Sequence, residues 1–285
     1  MAPNIKNRVL VGTPMFLALI GLFLLDSVAA DHGLAGLPPL IVGWILISIG
    51  GYEAAQLLRA GGLAADRLLI PVGAVLLLTA MLAVHRGDAS LVVLGIFGVA
   101  FPAAAMIRPV LEGDLGKATA TAAASTGITM YLGAGLGSIF ALQQEAGAMV
   151  ALMAVLAIKS CDIGAYFTGS WLGRTPLAPS ISPAKTVEGL IGGMLLSALV
   201  LILAGEADII TATRPQLLGV GLVLGALGQV GDLAESVWKR AAGAKDSGRG
   251  LPGIGGVLDV LDSPMFAGPF AWWMMRGFGI ADGIG

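Results

Sequence analysis

Nine runs of mostly apolar residues divide this sequence, at roughly 9–29, 38–58, 68–84, 91–107, 118–142, 147–171, 187–204, 215–231 and 264–280. A helix needs about 20 such residues, within about 17–25, to cross the hydrocarbon layer of a bilayer. A membrane barrel would instead need strands of about ten residues alternating in polarity, and these runs do not alternate. Composition agrees. The 285 residues are 56% hydrophobic and 12% charged, whereas a soluble chain runs near 45–50% apolar and about 25% charged. So few polar side chains cannot cover a water-soluble globule. The sequence predicts an all-α, polytopic integral membrane protein with about nine transmembrane helices.

Loop charges give the orientation. With the N-terminus in the cytoplasm, the inside segments hold 13 of the 16 Lys and Arg residues, leaving Arg86, Arg214 and Arg276 outside or near the outer end of the last span. That bias follows the positive-inside rule, and one missed span would scramble it. Ser27-Val28-Ala29-Ala30 resembles a leader-cleavage site, but the charge bias needs the first run as an uncleaved span. The runs group into N-terminal transmembrane helices, 1–117, and a C-terminal transmembrane region, 118–285, which carries two long inside loops, 172–186 and 232–263.

Several chemistries drop out early. A net charge of −2 argues against nucleic-acid binding. The single Cys161 excludes an internal disulfide, and His32 and His85 lie near no other ligand type at metal spacing. Glycine is abundant, 43 residues, and Gly133/Gly137, Gly189/Gly193 and Gly221/Gly225 have the spacing that lets membrane helices pack closely.

Polar chemistry concentrates in two places. Nine of the 34 Asp, Glu, Lys and Arg residues fall within 232–262. If 232–240 continues the eighth span as a helix, Asp232, Ser236, Lys239 and Arg240 share one face. Asp259 and Asp262, three apart, share another. Lys245 and Asp246 precede a stretch from Gly248 to Gly256 with five glycines and Pro252, suited to a backbone turning tightly round a ligand. Mixed carboxylates and cations fit a metal–polyphosphate site, because Mg²⁺ takes one or two carboxylates plus phosphate oxygens and Lys and Arg neutralise the rest. A solvated loop with ion pairs explains the composition equally well. The second cluster favours the site. Asp162 falls inside an apolar run, where a carboxylate marks function. The Pro-rich link that follows cannot be helical and carries Ser182, Lys185 and Thr186, with Glu188 at the start of the next span. Ser182 or Thr186 could cap the next helix, and a helix start beside Lys185 is also an anion site.

Together these residues resemble the phosphatidate cytidylyltransferase family, the CDP-diacylglycerol synthases. Its Ser-x-x-Lys-Arg, Lys-Asp-x-Gly, Pro-x-His-Gly-Gly and Asp-Arg-x-Asp pattern corresponds here to Ser236, Lys239, Arg240, Lys245, Asp246, Gly248, Pro252, Gly255, Gly256, Asp259 and Asp262. The upstream pattern corresponds to Asp162, Ala165, Tyr166, Leu177-Ala178-Pro179, Ser182-Pro183, Lys185-Thr186 and Glu188-Gly189. The likeness covers about 155–270. Ile254 stands where the family has His, and Val260 where it has Arg.

The resemblance implies a Mg²⁺-dependent reaction, with a second metal ion left open, of CTP with phosphatidate to CDP-diacylglycerol and pyrophosphate. It implies Asp232, Asp259 and Asp262 as metal ligands and Lys239, Arg240, Lys245 and Asp246 as catalytic residues. Ser182, Lys185, Thr186, Glu188, Ser236 and Asp162 become substrate contacts, Asp162 orienting the cations or meeting the cytosine end. A homodimer among membrane lipids is implied, as is an inner-membrane location with the site facing the cytoplasm. Three other readings stay open: a transporter with Asp162 and Asp232 on its pathway, a cytidylyltransferase for another lipid phosphate, and an inactive relative marked by Ile254 and Val260.

Overall fold

The computed structural model describes residues 14, 17, 18, 20–26, 28, 29, 31–34, 36–248 and 255–280. Within them run eight helices and one hairpin: α1 (Leu37–Ala60), α2 (Leu69–His85), α3 (Val92–Leu111), α4 (Leu115–Ala146), α5 (Ala148–Leu172), β1 (Pro176–Ala178), β2 (Ser182–Thr186), α6 (Val187–Glu206), α7 (Arg214–Ala241) and α8 (Leu258–Gly277). The last eight expected spans are all helices. The first, 9–29, lies partly outside the described residues, and Arg249, Pro252 and Ile254 lie outside them. Six helices, α1 and α3–α7, are long and apolar enough to cross a membrane. The chain is a multi-pass membrane protein.

Two compact units divide the chain. One takes residues up to Leu22, Leu37–Gly137 and Trp238–Leu261; the other takes Phe23–Gly36, Ser138–Val237 and the residues from Asp262 on.

In the first unit, α1 meets α2 where Gly51 leaves no room for a side chain, a Cβ there falling 2.8 Å from Pro71 Cα. Gly133 does the same for α4, with Ala74 O at 2.9 Å. On α3, Phe101, Ala105 and Pro109 are buried, while Val92, Ile96, Val99 and Leu111 are exposed, as lipid-facing residues are. At one end of α2, Asp66 accepts the amides of Leu68 and Leu69 at 2.8 and 3.0 Å and pairs with Arg108 at 2.9 Å. Burial works against its ionisation, but these amides and the guanidinium outweigh it and hold Asp66 below the usual carboxylate value. A lowered acid contributes stability above its unfolded pKa and loses it as pH falls through the folded one. Asp66→Asn should therefore be less stable than the parent at pH 7, with the gap in thermal midpoint closing below the ordinary aspartate value of 3.8. An equal gap at both pH values would contradict this.

In the second unit, α5 and α6 lie in close contact along paired glycines. A Cβ on Gly164 would meet Gly192 O and Gly193 Cα, both at 2.9 Å, and one on Gly193 would meet Cys161 O at 2.5 Å. Gly221 and Gly225 of α7 approach α6 likewise, at Ala198 N (2.8 Å) and Met194 Cα (3.0 Å). All three G-x-x-x-G pairs thus sit at helix contacts, where the absent side chain lets backbones touch.

Loop 172–186 is an antiparallel hairpin, in register Pro176 with Thr186 and Ala178 with Ser182. Prolines lack a ladder donor and suit an edge, and both strands of a two-stranded sheet are edges. The expected loop 232–263 is shorter than its sequence bounds: 232–241 belong to α7 and 258–263 to α8.

Overpacking a close-packed contact costs about 1–3 kcal/mol. Gly193→Val should lower the thermal midpoint in detergent by several degrees. Gly219→Ala, in α7 with open space around it, should leave it unchanged or raised. Equal behaviour of the two variants would refute the glycine-contact account.

Candidate active site

Within the second unit, α5, β2, α7 and α8 bring one set of charged side chains together. Gly228 and Gly231 of α7 make this approach possible. A Cβ at Gly228 would lie 3.0 Å from Ile158 Cγ2, and one at Gly231 would lie 2.7 Å from Asp262 O. With α8 seated there, Lys159 Nζ reaches Asp262 Oδ1 at 3.2 Å and Asp162 Oδ2 at 3.4 Å. The Ser263 hydroxyl lies 2.9 Å from Asp262 Oδ1 and 3.4 Å from Asp162 Oδ2. Lys185, next to the end of β2, reaches Asp232 Oδ2 at 2.6 Å. Ser236, one turn along α7, donates to Asp232 Oδ1 at 3.4 Å. Three carboxylates and two lysines are thus brought together in one unit.

The hairpin's entry into α6 is fastened by the residues the sequence marks there. The Thr186 hydroxyl accepts the Gly189 amide at 3.1 Å, the N-cap geometry expected for a threonine. Glu188 accepts the amides of Arg174 and Thr175, both at 3.1 Å, and the Thr175 hydroxyl at 2.9 Å. Both side chains hold the hairpin in place. Ser182 is half-buried at the start of β2.

The first unit holds a set of charged residues of its own. Lys239 Nζ meets Asp259 Oδ1 at 2.5 Å, with side chains 11% and 9% exposed. Asp259 Oδ2 accepts the Gly256 amide at 2.6 Å, the Ser247 hydroxyl at 2.7 Å and the Ser247 amide at 3.0 Å. Asp259 and Asp262 share α8 as expected, yet each takes its own lysine, Lys239 and Lys159 respectively. Arg240 is exposed and donates to Ala244 O at 3.3 Å. Lys245 and Asp246 are exposed.

Two charged residues that this geometry makes central escape the sequence reading. Lys159 enters it only as an inside charge, though a lysine three residues before Asp162 lies on the same helix face. Glu53 is overlooked altogether. It is a carboxylate inside an apolar run, the same signal that singles out Asp162.

Each carboxylate expected to hold a metal carries a lysine ammonium on one oxygen: Asp232 with Lys185, Asp259 with Lys239, Asp262 with Lys159. An ammonium occupies the place another cation could take, so the all-oxygen donor set fits a hard divalent ion. Among the described residues no three acidic, histidine or cysteine side chains form a ready-made cage. Mg²⁺ does not need one, since it completes its shell with water and substrate phosphates.

The cytidylyltransferase family profile matches residues 6–278. The chain belongs to this family. It is 44% identical over 139 residues to a phosphatidate cytidylyltransferase of Staphylococcus aureus (strain COL), covering 49% of this chain and 53% of that protein. A Synechocystis sp. protein of the same name is also 44% identical, over 131 residues, 45% of this chain and 44% of that protein. The matched part therefore spans about half the length of the curated relatives.

Removing one partner of a buried ion pair strands the other charge and costs roughly 3 kcal/mol or more. Lys239→Ala should lower the thermal midpoint clearly, and Arg240→Ala, at an exposed site, should barely move it. Equal shifts would contradict the burial of the Lys239–Asp259 pair.

Proposed function

We propose that this chain transfers the cytidylyl group of CTP to phosphatidate, giving CDP-diacylglycerol and pyrophosphate. The observation that carries the reading is the set of lysine–carboxylate pairs, most of whose members the family resemblance marks, led by Lys185 and Asp232 at 2.6 Å. A transporter would be expected to carry inverted internal repeats; the two halves of this sequence show no convincing similarity and its charges crowd into the C-terminal part, in a chain of the cytidylyltransferase family.

The chemistry asks for little besides charge control. A phosphate oxygen of phosphatidate attacks the α-phosphorus of CTP, a new P–O bond forms, and the bond to the bridging oxygen breaks to release pyrophosphate. The nucleophile is already an anion, so no general base is required, in keeping with the absence of histidine from these clusters. Positioning and electrostatic stabilisation dominate such transfers. The carboxylates assigned to Mg²⁺ are Asp232 and Asp262 in the second unit and Asp259 in the first, and the ion would supply charge screening for the triphosphate and the leaving pyrophosphate. Arriving phosphates give Lys159, Lys185 and Lys239 a new partner, and each lysine turns from its carboxylate to phosphate oxygens. Arg240 and Lys245 are assigned to phosphate oxygens, and Asp246 to orienting Lys245. Ser182 and Ser236 serve as polar contacts to the nucleotide. Thr186 and Glu188 act by holding the hairpin that presents Lys185, and Asp162 by orienting Lys159.

Phosphatidate keeps its acyl chains in the bilayer and CTP comes from water, so the reaction belongs at an interface. The positive-inside bias supports a cytoplasmic one, with the N-terminus on the same side, in a bacterial-type inner membrane. A homodimer accompanies the family resemblance.

Purified protein in detergent should release pyrophosphate when given CTP, phosphatidate and Mg²⁺, and should stop when either lipid or metal is withheld. Asp232→Asn should reduce that release at least a hundredfold. Lipid-independent release, or full activity in Asp232→Asn, would overturn the reading or its metal assignment respectively.

A further inference from the structure

Glu53 has no part in the reaction outlined above. It lies on α1 with 7% of its surface exposed, among the buried Gly50, Gly51, Ala54 and Ala55. Its two oxygens nevertheless take two amide donors, and lie near a hydroxyl whose proton goes to Asp259, from a part of the chain some 200 residues away. The Val257 amide reaches Oε1 at 3.1 Å, the Leu258 amide reaches Oε2 at 2.8 Å, and the Ser247 hydroxyl lies 3.4 Å from Oε2. Leu258 is the first residue of α8, where helix amides have no partner within the helix and a carboxylate is favoured. A side chain at Gly248 or Gly256 would collide with the same carboxylate, its Cβ falling 2.8 Å or 2.7 Å from Glu53 Cδ. Glycine at both positions leaves the space that Glu53 fills.

Ser247 links this carboxylate to the Lys239–Asp259 pair. Its hydroxyl is 2.7 Å from Asp259 Oδ2, and Asp259 Oδ1 holds Lys239. Asp259 satisfies the Gly256 amide, which precedes α8, whereas the Leu258 amide in the first turn of α8 is met by Glu53. A second carboxylate brought in from an apolar helix is costly. What it adds is a fixed position for Ser247 and for the first turn of α8, and through them for Asp259 and Lys239.

We propose that Glu53 is a positioning residue for the nucleotide: it fixes Ser247 and the start of α8, so that Lys239 stands where it can receive the triphosphate. The inference rests on the cytidylyltransferase reading above. Both carboxylate oxygens act as acceptors, and a glutamine must turn its amide NH₂ toward one of these N–H donors.

The test compares wild type, Glu53→Gln and Ser247→Ala in detergent, by steady-state kinetics and by hydrogen–deuterium exchange of the 256–258 amides. Glu53→Gln is expected to raise KM for CTP about tenfold, leave KM for phosphatidate within twofold, and speed exchange of these amides at least tenfold. Ser247→Ala, the milder variant if Glu53→Gln fails to fold, should move KM for CTP the same way by a smaller factor. A fall in kcat with both KM values unchanged would mean a structural role alone and would overturn the proposal. So would unchanged amide exchange in Glu53→Gln. A wild-type protein inactive toward CTP would sink the parent reading and with it the nucleotide role. The exchange experiment would still decide whether Glu53 holds the start of α8.

Discussion

An ionised carboxylate among apolar helices is expensive unless a cation lies beside it, and this chain answers that cost at each aspartate of its candidate site. Lys185 lies on Asp232, Lys159 between Asp162 and Asp262, and Lys239 on Asp259. The helices that bear these residues could not bury their polar ends without the pairing. In the proposed reaction, each lysine would exchange its carboxylate for a phosphate oxygen of comparable charge when substrate arrives. A reaction limited by electrostatic repulsion between two phosphates is well served by groups that change partners in this way.

Glycine supplies the geometry. Cations and carboxylates on separate helices meet only if the backbones come close, and the closest approaches fall at residues without side chains. Gly164 and Gly193 bring α5 against α6, and Gly231 brings α8 against α7 within reach of Asp262 O. In the first unit, Gly248 and Gly256 leave space for the Glu53 carboxylate. Substitution at these positions would disturb charge placement before it disturbed the spans themselves.

Much of this is legible in the sequence because the bilayer imposes a simple rule. Length and polarity of the apolar runs locate eight helices, although α7 runs ten residues past its expected end and α8 begins six residues early, where polar residues continue the helix, and the i, i+4 relation of Asp232 and Ser236 holds on α7. The hairpin is not legible, since Pro179 and Pro183 exclude a helix without specifying strand pairing. Nor does sequence alone tell which lysine meets which aspartate. Asp259 and Asp262 are three residues apart, yet their partners come from helices 80 residues apart in the chain, Lys239 of α7 and Lys159 of α5. Glu53 shows a different failure: its signal, a charge in an apolar run, is plain, but its donors lie beyond residue 246 and no local pattern connects them.

The exchange of lysine partners from carboxylate to phosphate is the central claim, and nucleotide binding without lipid tests it most directly. CTP titrated with Mg²⁺ into the detergent-purified protein should bind saturably. Lys185→Ala should weaken that binding at least tenfold, while Lys185→Arg, which keeps the charge, should stay within a few-fold of the parent. Equal affinity for all three proteins would contradict the account.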